Sequence, residues 1–133
     1  EDAGDAALAD DFLLAIQGVD WTLAFRRLAG AVQDEAGLLA LFDDSAAVRA
    51  WLPRWRARLR PDAAAAMNAV NPAVIPRNHL VEAALEAATA GDMAPFEALL
   101  AAVRDPFGPE VGREGFTLPA PQGFGAYVTF CGT

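Results

Sequence analysis

At 133 residues and 54% hydrophobic content, the chain carries enough apolar side chains to bury a core of its own, which excludes a disordered tail and removes the need for disulfide or metal staples. Acidic residues outnumber basic ones 18 to 10, and the formal charge of -8 argues against nonspecific binding to nucleic acid or to anionic membranes. The single cysteine, Cys131, rules out an internal disulfide framework and fits a reducing, cytoplasmic compartment.

The chain opens on Glu1-Asp2-Ala3 with no initiator methionine and no basic-then-apolar leader, and no apolar run approaches the roughly 18 residues of a membrane span. It reads as a soluble piece cut from a longer protein. Residues 6 to 17 place Leu8, Phe12 and Ile16 at four-residue spacing and end at Gly18, the pattern of a helix with one buried stripe. Asp20 is a candidate N-cap for a second helix through Trp21 and Leu28 to Gly30. A short third runs from about Asp34 to Phe42. Asp43-Asp44-Ser45 offers caps for a fourth, in which Val48, Trp51, Leu52, Trp55 and Leu59 recur at helical spacing and Pro53 predicts a kink or a restart. A fifth covers Ala63 to Val70 and stops at Asn71-Pro72. The sixth is the best amphipathic stretch: Pro76 lies near its start, Leu80, Val81, Ala84, Leu85 and Ala88 share one face, and Gly91 follows its end. Gly91-Asp92 predicts a tight hairpin into a seventh helix, Pro95 to Val103, with Phe96, Leu99, Leu100 and Val103 inward.

Beyond Arg104 the pattern changes. Residues 105 to 125 hold too many prolines and glycines for a regular element, and Phe107, Phe116, Leu118, Phe124, Tyr127 and Phe130 lie among and beyond them. A solvated linker has no use for so many rings, so the segment is expected to lie extended with its rings on a helical surface. The expected fold is all-α: six or seven short helices in an irregular bundle over residues 1–104, with residues 105–133 as a tail.

Each candidate site has a plain structural reading. Arg49, Arg54, Arg56, Arg58 and Arg60 interleave with Trp51 and Trp55, which superficially suggests RNA or phosphate binding. Both tryptophans share the apolar phase with Val48 and Leu59, so burial of the rings and pairing of the arginines with acidic neighbours is the better reading. His79, the only histidine, has no second histidine or nearby cysteine at metal-ligand spacing, and a structural polar contact is expected of it. Asp105-Pro106-Phe107-Gly108 has an inserted proline that breaks the kinase Asp-Phe-Gly spacing, and reads as a turn. Asp10-Asp11 and Asp43-Asp44 sit on polar faces or at helix starts. No catalytic, cofactor-binding or metal-binding residue is expected within the chain. Cys131, third from the end behind the glycine-rich tail, is the one redox candidate.

Two stretches carry a family resemblance. Asn71-Pro72-Ala73-Val74-Ile75-Pro76-Arg77-Asn78-His79-Leu80-Val81-Glu82-Ala83-Ala84-Leu85, followed by Gly91-Asp92, is similar to a signature near the carboxyl end of the selenoprotein O family. Tyr127-Val128-Thr129-Phe130-Cys131-Gly132-Thr133 resembles that family's ending, and Asp20 to Leu28 matches its style more loosely. The resemblance implies a parent protein adenylyltransferase with a kinase-like core that uses ATP and magnesium or manganese to move AMP onto hydroxyl side chains of proteins. It places the nucleotide and metal residues in the upstream core, none of them in this chain, and the partners as that core and the protein substrates. It puts Cys131 where eukaryotic members carry selenocysteine, implying redox coupling through a disulfide to the core. Separation from the core leaves an apolar patch that a second copy can cover. The alternative class is a non-enzymatic helical interaction module, since the hairpin at Gly91-Asp92 resembles one unit of a helical repeat; no second copy recurs at a fixed period.

Overall fold

The computed structural model describes residues 3–121, 123 and 124. Among them it contains eight helices and no strand, and it divides the chain into two compact units, Glu1–Ala73 and Val74–Thr133.

The first unit holds α1 (Ala3–Ala15), α2 (Trp21–Ala31), α3 (Ala36–Leu39), α4 (Ala46–Arg56) and α5 (Ala63–Val70). Helix α1 packs on α4, while α2 packs on both α3 and α5. The stripes read from the sequence meet where expected: Phe12, Ile16, Leu28, Leu38, Val48, Trp51, Leu52 and Trp55 form one buried cluster. Its centre is aromatic. Trp51 stacks on Phe12 at 4.6 Å and on Trp55 at 5.3 Å between ring centroids, and its indole N–H donates to the Leu8 carbonyl at 2.8 Å. Burying an indole while satisfying its donor joins α1 and α4 by area and by a directed bond.

Aspartates mark the helix starts. Asp20 accepts the Leu23 amide at 2.9 Å as the N-cap of α2, and Asp34 and Asp44 accept the amides of Ala36 and Ala46 at 2.9 Å. Each satisfies an amide that has no helical partner and sets negative charge at the positive end of the helix dipole. Arginines finish two helix ends. Arg26, buried on α2, donates from one guanidinium nitrogen to the carbonyls of Asn68 and Asn71 at the end of α5, while the Asn71 side-chain amide donates to Phe25. Arg56 donates to Ala31, the last residue of α2, at 3.0 Å. Helix α4 continues through Pro53 rather than restarting there. Both Pro53 and Arg49, whose carbonyl loses the usual proline-position donor, face solvent, where water can replace the missing bond.

The second unit contains α6 (Asn78–Thr89), α7 (Ala94–Arg104) and α8 (Glu114–Thr117). The predicted hairpin forms at Gly91, whose φ of 95° only glycine adopts without strain. The Gly91 amide bonds the Ala88 carbonyl and the Asp92 amide the Ala87 carbonyl, which is a Schellman ending, and Asp92 then accepts the Ala94 amide to start α7. The expectation of no regular element beyond Arg104 fails at one place: Arg113 to Leu118 is free of proline, and α8 forms a single turn there, closed by the Thr117 hydroxyl donating to Glu114.

Candidate functional site

The arginine-rich face of α4 is consumed by ion pairs. Arg54 meets Asp11 at 2.8 Å, Arg58 meets Asp5 at 2.5 Å, and Arg49 and Arg56 share Glu35 at 3.3 and 2.9 Å. Arg60 lies 3.5 Å from Asp62. The interleaved tryptophans are core residues, so the rings are not available to stack on bases, and the arginines form a solvated face paired with acidic neighbours. Asp11, half of one acidic pair, is spent on Arg54. Asp44 is spent on a helix start.

In the second unit, residues 105–113 fold around one side chain. Arg113 donates to the carbonyls of Pro109 at 2.8 Å and Asp105 at 2.6 Å, and lies 3.6 Å from the Asp105 carboxylate. The turn expected at Asp105-Pro106-Phe107-Gly108 forms inside this loop, and a β-carbon on Gly108 would run into the Asp105 carboxylate and the Arg113 guanidinium. Just beyond, Glu114 accepts the Gly112 amide at 3.0 Å. Hydrogen bonds from its own amide and from that of Gly112 hold its carboxyl below the usual carboxylate range, as bonding to the charged form does. These contacts are structural staples; none presents a nucleophile to an open space.

Two concave features of the second unit bear on function. A cleft of about 320 Å³ lies at the start of α6, lined by Ile75, Pro76, Arg77, Asn78, His79, Ala120 and Phe124. His79 lies there edge-on to Phe124, 5.8 Å between centroids. This contact shows one ring of the 105–133 segment resting on a helix. The second feature is a shallow groove of about 180 Å³ between α6 and α7, lined by apolar side chains that include Val81, Leu85, Phe96, Leu99, Leu100 and Val103. The sequence pattern put this face inward. In the structure Ala84 and Leu99 are buried, but Leu85 is 52% exposed, Leu100 37% and Phe96 36%.

Cys131, Tyr127 and Phe130 lie outside the described residues. Among the described residues no three histidine, cysteine, aspartate or glutamate side chains come together as a metal site, and no helix is long and apolar enough to cross a membrane. Sequence reasoning missed Arg26 and Arg113 as organising residues. Arg26 left a trace, an arginine in a helix otherwise buried at Leu23, Ala24 and Leu28. Arg113 left none, because its partners are main-chain carbonyls that any residue supplies.

No family model matches the chain. Curated relatives do. The protein nucleotidyltransferase YdiU of Cereibacter sphaeroides strain KD131 is 62% identical over 133 residues, an alignment covering 98% of this chain and 28% of that protein. The proteins of the same name from Mycobacterium sp. strain KMS and Sphingopyxis alaskensis are 52% identical over 131 residues and 48% over 141, covering 96% and 98% of this chain and 27% and 29% of theirs. The chain therefore spans little more than a quarter of the length of the relatives it matches. With 48–62% identity running along nearly all of it, the chain belongs to the YdiU, or selenoprotein O, family and matches a C-terminal part of its members.

Proposed function

We propose that the chain is the helical C-terminal part of a protein adenylyltransferase, and that its own contribution is structural and redox-regulatory. One observation carries the reading: identity with proteins named as nucleotidyltransferases extends over nearly the whole chain, yet it covers only 28% of the relative's length. Among the described residues no three histidine, cysteine, aspartate or glutamate side chains form a metal site, and Asp20, Arg54 and Arg113 are engaged in a cap, an ion pair and a loop. The parent moves AMP from ATP to serine, threonine or tyrosine hydroxyls of protein substrates in a reducing, cytoplasmic setting. ATP and magnesium or manganese are held by the kinase-like core upstream. The described residues bring together no trio of side chains that would hold that metal.

Within this reading residues 1–104 buttress the core and residues 105–133 carry Cys131 to it. Oxidation joins the Cys131 thiol to a thiol of the core: two S–H bonds are lost, one S–S bond forms, and two electrons pass to an oxidant such as oxidised glutathione. The test is the label that the parent transfers. With ATP labelled at the α-phosphorus, protein substrates become labelled; with ATP labelled at the γ-phosphorus, they do not. The reverse pattern makes the parent a kinase, and no transfer from either leaves the helical interaction module, which the open α6–α7 groove favours, as the surviving reading.

A further inference from the structure

The apolar groove of the α6–α7 hairpin sits where a sequence stripe predicts burial, and the described residues leave it partly open. Leu85, Phe96 and Leu100, each more than a third exposed, line it with Val81, Leu99 and Val103. A contiguous apolar face of this kind on a water-soluble helix pair marks a contact. Exposed charges of both signs stand next to its lining residues: Glu82 follows Val81, Glu97 follows Phe96 and Arg104 follows Val103 by one position, with Asp92 exposed in the turn that joins the helices.

We infer that this groove is a docking surface for the rest of the parent polypeptide, which lays an apolar ridge into it. The inference rests on the proposed parentage, because nearly three-quarters of the relatives' length lies outside this chain. A second copy of the chain fits less well. Two copies at -8 each repel one another, and two shallow concavities laid face to face give neither groove a ridge to fill it. The shallow concavity instead receives apolar side chains that stand out from a helix or loop of the core.

The test compares the intact parent with the isolated 133-residue chain. Hydroxyl-radical footprinting should oxidise Leu85, Phe96 and Leu100 at least fivefold more slowly in the parent than in the chain. Leu85→Glu should lower the parent's melting temperature by several degrees, because it places a carboxylate in a closed apolar contact, and should move that of the chain by less than about 1 °C, because there the side chain faces water. Equal footprinting in the two proteins overturns the proposal. So does a chain that runs as a dimer and is split by Leu85→Glu while the parent melts unchanged. Neither readout uses AMP transfer, so a parent without adenylyltransferase activity would sink the proposed function and leave this test standing.

Discussion

Trp51→Ala should abolish cooperative unfolding of the first unit. The indole is 4% exposed, stacks between Phe12 and Trp55, and bonds to α1 through Leu8. Truncating a buried aromatic to alanine costs about 3–5 kcal/mol, against a total stability of about 5–15 kcal/mol for a domain. Two elements lose their joint at once, because the same ring supplies the packing between α1 and α4 and the bond that fixes their register. Trp21 is the internal control. It is 55% exposed and touches Phe25 at 6.0 Å, so Trp21→Ala should cost no more than about 1 kcal/mol. Urea denaturation followed by far-UV circular dichroism separates the two: the Trp51 variant should begin to lose helix without added urea, and a midpoint within about 1 kcal/mol of the parent sequence would show that the stack is not the keystone of the unit.

Cys131→Ser should remove redox control from the parent while sparing its activity. A serine hydroxyl cannot form the disulfide, so AMP transfer should be the same in dithiothreitol and in oxidised glutathione, where the native protein should differ severalfold. The effect depends on a thiol that ionises readily, since the thiolate is the attacking species. If the serine variant keeps the native difference between oxidising and reducing buffers, Cys131 is not the switch.

The helices were legible wherever a periodic stripe met good punctuation. Helix α5 has the bounds its flanking Asp62 and Asn71 suggest, and the Gly91-Asp92 hairpin follows from a glycine that can take positive φ beside an aspartate that can accept an amide. Burial of Trp51 and Trp55 was legible from their phase, and with it the pairing of the arginines around them. Helix α8 was obscured by the prolines on either side of a run that contains none, and by Gly115 within it. Arg26 and Arg113 donate to backbone carbonyls brought within reach only by the fold, so spacing could not reveal these bonds. The exposed face of α6 and α7 shows a further limit. An amphipathic stripe predicts that a face is covered, and it does not say whether the cover belongs to the same stretch of chain. Family membership was legible from residues 71–92 and from the ending that holds Cys131, a kind of signal that periodicity does not carry.

The central claim is that this chain supports an adenylyltransferase whose nucleotide site lies elsewhere in the parent. Thermal unfolding with and without saturating magnesium-ATP tests it directly, since a ligand that binds the native state must raise its stability. The melting temperature of the intact parent should rise by several degrees and that of the isolated chain should stay where it was; a rise in the isolated chain would contradict the account.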